Sequence, residues 1–203
     1  MKKNTYKGKF IVFEGLDGSG KATQSGLLYD AFRAQKRKAH LTREPSQYLI
    51  GGLIRSRISH DWDSSPECLQ LLFCADRAHH LEKEIIPALK KGVTVICDRY
   101  FFSTVAYGGL HIKDTQWLLD LNKHFLLPDI TFLLSVSSRE LIQRMETSRF
   151  TLELFAQEEK LRKIWPNFLA LQKQFDNVFV IDGNRRKEAV TKDILKIVTQ
   201  KKI

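Results

Sequence analysis

Cysteine is scarce in this chain. The three present (Cys68, Cys74, Cys97) show neither the spacing of a disulfide framework nor that of a metal site. A disulfide-stapled scaffold and a zinc module are thereby excluded, and the thiols are expected to be small buried apolar residues in a reducing compartment. Long apolar runs are missing too. The nearest candidate, Phe125 to Val136, is cut by Pro128 and Asp129, short of the roughly 20 residues a membrane span needs. After the basic start Met1-Lys2-Lys3, the run Phe10 to Phe13 is too short for the core of a signal peptide. A cytoplasmic protein without a membrane partner is expected. There is no internal repeat, low-complexity segment or linker. No His-Glu-x-x-His pattern occurs, and His79 and His80 are adjacent and cannot share a helix face, so no metal is assigned to histidine.

What remains is the composition of an ordinary globular protein, and 203 residues fit one domain, 1–203. The chain has 33 basic and 23 acidic residues, a formal charge of +10. That excess suits nucleic acid or small substrates that carry phosphates. Much of it lies in clusters such as Lys36-Arg37-Lys38 and Arg185-Arg186-Lys187 that read as solvated helix faces. No nucleic-acid motif accompanies the charge, so no nucleic-acid partner is expected.

Short apolar runs alternate with helical patterns. Strands are predicted at Phe10 to Phe13, Ala39 to Thr42, Val93 to Cys97, Ile130 to Val136 and Val178 to Ile181. Helices are predicted over 21–35, from Pro66 to the break at Gly92, after Asp114, from Ser137 or Ser138 to about Met145, over 152–175 and over 187–199. Alternation of this kind means an α/β protein in three layers, a five-stranded parallel sheet flanked by helices. Ligands in such sheets lie beyond the carboxyl ends of the strands. The places to inspect are therefore those after Phe13, Thr42 and Cys97.

After the first strand comes Gly15-Leu16-Asp17-Gly18-Ser19-Gly20-Lys21-Ala22-Thr23. Glycines let backbone N–H groups of such a loop turn inward on phosphate oxygens, and Lys21 can reach the outer phosphates as a point charge. The usual motif places Ser or Thr after the lysine as a magnesium ligand, and here that place holds Ala22. Thr23 lies about 100° further round the helix and is no simple substitute. Either magnesium is held through water and other groups such as Asp98, or the site is weakened; the first is expected because the rest of the loop is intact.

Two further loci concern the acceptor. Phe73 and Arg77 share a helix face; an aromatic plane and a forked donor there can stack a base and bond its carbonyl edge. Taken alone, an aromatic at this spacing is more often core. Asp98-Arg99 ends the third strand, where a carboxylate can organise the waters of magnesium and an arginine can grip a second phosphate. A structural ion pair would explain the two residues but not their position.

With these segments in order, Thr42-Arg43-Glu44-Pro45, Leu72-Phe73-Cys74-Ala75-Asp76-Arg77 and Asp98-Arg99-Tyr100 through Ser103 to Ala106-Tyr107-Gly108, the chain closely resembles the thymidylate kinase family along nearly its whole length. The resemblance implies a P-loop kinase fold and transfer of a phosphoryl group from ATP to dTMP with Mg2+, giving dTDP for dTTP biosynthesis. It implies that Phe73 stacks on thymine, that Arg77 donates to a ring carbonyl, and that Arg43 and Arg99 clamp the dTMP phosphate. Asp17 would contact the sugar 3′-hydroxyl, Tyr107 would crowd the 2′ position, and Ser103 joins the acceptor residues. A cis Glu44–Pro45 bond, a homodimer and a short lid at about 139–155 follow as well. The phosphate loop carries no arginine between Gly15 and Lys21, so the lid should supply the transition-state cation. Arg149 is the first choice, and Arg144 is expected to lie against adenine. A phosphate acceptor is already anionic, so no general base is required. Three alternatives stay open: a deoxynucleoside kinase, which would need a carboxylate base such as Glu14; a non-catalytic nucleotide-binding protein, suggested by Ala22; and a nucleic-acid partner, suggested by the charge.

Overall fold

The structure, a computed structural model, describes residues 1–145 and 151–203. Five strands, β1 (Phe10–Gly15), β2 (Ala39–Arg43), β3 (Thr94–Asp98), β4 (Ile130–Ser135) and β5 (Val178–Asp182), form one parallel sheet in the order β2-β3-β1-β4-β5. The apolar run of β1 is continuous because the strand is central and meets a layer on each face. Phe10 and Val12 belong to one core, with Leu81, Leu89, Phe101, Leu118 and Phe168. Ile11 and Phe13 belong to the other, with Leu28, Phe32, Val190 and Ile194. This is the three-layer architecture expected above, a five-stranded parallel sheet flanked by helices.

One outer layer consists of α1 (Lys21–Ala34) and α9 (Lys187–Gln200). Leu28 and Phe32 are fully buried there, and each stabilises the fold by roughly 1.5–3 kcal/mol through area removed from water. The other layer draws on α3 (Pro66–His80), α4 (Ile86–Lys90), α5 (Phe101–Gly108), α6 (Thr115–Asn122) and α8 (Thr151–Gln172). Pro66 opens α3 and Ser65 caps it by accepting from Cys68 N at 3.2 Å; Asp114 caps α6 through Trp117 N at 2.9 Å.

Three features were not anticipated. A short helix, α2 (Leu49–Ile58), packs against α3, and α5 follows β3 almost directly. A π-helical turn, Leu81–Ile85, joins α3 to α4. One expectation is corrected: Cys74 and Cys97 are buried, but Cys68 is exposed. It sits in the first turn of α3, about 240° round the helix from Cys74, and so faces away from the core. The Glu44–Pro45 bond is cis. Among the described residues no helix is long and apolar enough to cross a membrane. Of the expected lid, 146–150 lie outside the described residues; α7 (Ser138–Met145) precedes them.

Candidate active site

The central strand delivers its carboxyl end to the phosphate loop. Gly15 has φ +142°, and a Cβ there would lie 2.7 Å from the Leu134 carbonyl oxygen, so only glycine fits beside β4. Gly20, also left-handed, precedes α1 and offers no side-chain cap, which leaves the opening N–H groups of that helix for an anion. Lys21 is buried and folds back over its own loop, with Nζ donating to the carbonyl oxygens of Gly15 (3.1 Å) and Leu16 (2.7 Å). Burial, and then the charge of Arg99, lowers its pKa to about 8, against the attraction of Asp17, Asp98 and Glu14. Ala22 and Thr23 are exposed.

Among the described residues, Ser19 Oγ and Asp98 Oδ1 are buried without a hydrogen-bond partner. Burial raises the Asp98 carboxyl, while Lys21, Arg99 and Arg43 act to lower it. An unpartnered buried carboxylate oxygen is costly unless something polar meets it. Among the described residues no group of three His, Cys, Asp or Glu side chains could hold a metal ion. This donor set fits a divalent cation that keeps most of its waters and takes phosphate oxygens as ligands.

Beside the loop lies a cavity of about 390 Å³, lined by Asp17, Phe73, Arg77, Arg99, Ser103 and Tyr107 among others, within the size range of small-molecule sites. Asp17 joins loop and cavity: Arg99 Nη2 and Tyr107 Oη donate to its carboxylate, the latter at 2.9 Å. Burial acts to raise the Asp17 carboxyl, but Arg99 and Lys21 hold it below its ordinary value. Arg99 adopts a left-handed backbone with φ 71° and donates through Nη1 to Ser103 Oγ at 3.1 Å. Its guanidinium stands 5.4 Å from the Tyr107 ring centroid.

At the far wall, Phe73 is half-buried and Arg77 almost wholly so. Arg77 Nε and Nη2 donate to Glu44 Oε2 (3.0 and 2.6 Å), Nη2 also to Thr104 Oγ1 (2.9 Å), and Nη1 to Asn122 Oδ1. Four of the roughly five N–H donors of a guanidinium are thus committed to protein. Glu44, Thr104 and Asn122 carried no predicted role; they lie 27 to 45 residues from Arg77 in sequence, and no local pattern links them.

Other predicted residues sit elsewhere. Arg43 is exposed at the end of β2 opposite Asp98 and does not line the cavity. With its amide turned to satisfy both atoms, Gln47 accepts from Arg43 Nε (3.0 Å) and Nη2 (2.7 Å). Arg144 donates through Nη2 to the Gly183 carbonyl (2.9 Å) and through Nε to Glu140 Oε1 (3.0 Å). Gly183 itself packs close to Ser19 of the phosphate loop and Val136, so Arg144 reaches the rim of the donor side. Arg149 lies outside the described residues. Lys160 of α8 lines the cavity and was not anticipated.

The phosphate loop and the cavity are thus joined by one carboxylate–arginine pair. In comparison with known proteins, the family model for thymidylate kinase matches residues 13–194. The chain belongs to the thymidylate kinase family. It is 39% identical to a probable thymidylate kinase of Methanocaldococcus jannaschii, over 92% of this chain and 93% of that one. It is 35% identical to the thymidylate kinase of Plasmodium falciparum, over 100% and 95%. The solved structure of thymidylate kinase from Candida albicans superposes with a TM-score of 0.83 at 25% identity, covering 98% of this chain and 94% of that one. Members of this family are nucleoside monophosphate kinases, phosphotransferases that convert dTMP to dTDP.

Proposed function

We propose that this chain, acting as one catalytic domain, transfers the γ-phosphoryl group of ATP to the phosphate of dTMP. The observation that carries the reading is the Asp17–Arg99 pair, which joins the phosphate loop to the cavity at the point where the two substrates must meet. The donor phosphates lie along the N–H groups of the loop and the start of α1, and Lys21 leaves its loop carbonyls to meet the outer phosphates. Thymine lies against Phe73 with the remaining N–H of Arg77 on a ring carbonyl, and the sugar sits between Asp17 and Tyr107. Arg99 holds the acceptor phosphate, with Arg43 swinging in from the end of β2. Mg2+, when bound, spreads the phosphate charge, and Asp98 and Ser19 are the residues that would hold it through water.

No base is needed, because the attacking oxygen belongs to a phosphate that is already anionic. The chain's work is alignment and charge neutralisation. Glu14 is fully buried and bonded to Tyr100 and Ser103, a poor placement for the base a deoxynucleoside kinase would require. Arg144 borders adenine from the Gly183 side, and Arg149 supplies the lid cation. We also infer a homodimer. Leu49 (82% exposed), Leu53 and Leu71 crowd the neighbouring helices α2 and α3, an apolar surface that a second copy would cover. The unpaired thiols agree with a cytoplasmic protein, and the positive charge serves phosphate substrates rather than nucleic acid.

ATP turnover with a panel of nucleoside monophosphates and thymidine tests the reading. Turnover of dTMP above UMP and CMP is expected, with Lys21→Ala and Arg99→Ala each removing most of it. Thymidine as sole acceptor would establish a deoxynucleoside kinase, and nucleotide binding with no turnover of any acceptor would establish a binding protein.

A further inference from the structure

Glu14, near the end of β1, is fully buried, yet no step above uses it. Both carboxylate oxygens are engaged. Oε1 accepts from the backbone N–H groups of Tyr100 (2.8 Å) and Ser103 (3.2 Å), and Oε2 accepts from the Ser103 hydroxyl. Those N–H groups open α5, whose N-cap residue Tyr100 supplies no side-chain bond. A neighbouring strand therefore caps this helix with a carboxyl group whose pKa burial raises to about 7, against the hydrogen bond from Ser103 and the charge of Arg99.

Ser103 passes the contact on. Its hydroxyl points at Glu14, which leaves an oxygen lone pair facing Arg99 Nη1 at 3.1 Å. Arg99 in turn meets Asp17, and its left-handed φ of 71° is a conformation that a non-glycine residue keeps only where its surroundings over-determine it.

We propose that Glu14 is a positioning residue that acts through Ser103 to fix the guanidinium of Arg99 in the acceptor clamp. The inference rests on the phosphoryl-transfer reading above. Glu14 matters because its Oε2, as an acceptor, sets the direction of the Ser103 hydroxyl. A carboxamide at position 14 would turn its oxygen to the backbone N–H groups and its NH2 to Ser103 Oγ, so that the Ser103 hydroxyl loses its acceptor and must rotate, disturbing the contact with Arg99. Shape would be kept and the relay reversed.

The test is steady-state kinetics of Glu14→Gln, Ser103→Ala and the double variant, with thermal unfolding of each. Each single change is expected to lower kcat/KM for dTMP by roughly 10–100-fold, the scale of a small misplacement at a reacting centre. The KM for ATP should stay within about 3-fold, and KM for dTMP should rise, which a mere loss of folded protein would not produce. The double variant should fall no more than about 2-fold below the worse single one, because the two residues act as a unit. Losses that multiply, or a Glu14→Gln enzyme with wild-type kcat/KM, would overturn the proposal while leaving dTMP as acceptor. Should Glu14→Gln fail to fold, Ser103→Ala decides alone: it keeps the backbone cap, and wild-type kcat/KM for dTMP in it breaks the proposed link. A wild-type chain inert toward dTMP would instead overturn the acceptor reading, and the clamp with it.

Discussion

Arg77 and Glu44 form a buried ion pair in which Nη2 and Nε lie 2.6 and 3.0 Å from one carboxylate oxygen. Taking two charges out of water is expensive, and removing one of them strands the other. Glu44→Ala should therefore destabilise the fold by about 3–5 kcal/mol, read as a lowered urea midpoint at unchanged slope. An unaltered midpoint would mean that Asn122 and Thr104 suffice to hold the guanidinium.

Phe73 lines the cavity on the same face of α3 as Arg77. Its truncation to alanine should weaken dTMP binding by about 1–3 kcal/mol, the usual worth of stacking a base on an aromatic ring. Calorimetric titration with dTMP checks this, and an unchanged Kd removes Phe73 from the base site. Triphosphate affinity should hold.

The burial of Lys21 gives a pH signature. In the free chain its pKa is lowered to about 8, so its charge is present below that value and lost as pH rises through it. Triphosphate affinity should thus decline above pH 8, by up to about tenfold per unit, the limit for one proton taken up on binding. Lys21→Met should bind weakly and show no such decline. A flat wild-type profile between pH 7 and 9 would contradict the placement of Lys21 on the phosphates.

Ala22 is exposed in the first turn of α1, three residues after Ser19, whose buried hydroxyl has no partner. A hydroxyl supplied by Ala22→Ser is expected to lower the Mg2+ concentration at half-maximal turnover. No change would show that water and Asp98 already meet the cation's needs.

How far the molecule could be read in advance varied with where each determinant lies. Strands β1, β3 and β4 are legible because two-sided burial writes a continuous apolar run. Helix α5 is not: Phe101-Phe102-Ser103-Thr104-Val105 favours a strand by intrinsic preference, and its cap comes from Glu14, far off in sequence. Helix α2 contains Gly51 and Gly52, poor helix formers; Gly51 is there because a Cβ would collide with the Ser46 carbonyl oxygen. The phosphate loop is a local motif and was plain. The partners of Arg77 come from three distant stretches of chain and leave no local trace; Arg43 bonds to Gln47, four residues on, a local contact that no familiar motif marks.

Because β1 and β3 are hydrogen-bonded neighbours, with Phe13 opposite Asp98, the phosphate loop and Arg99 begin about 4.8 Å apart, the spacing of adjacent strands. The spacing from which Arg99 starts is thus set by main-chain geometry, and its side chain covers the rest. Substitutions at Glu14 or Ser103 would shift the guanidinium within that spacing, whereas a slip in the β1–β3 register would change the spacing itself.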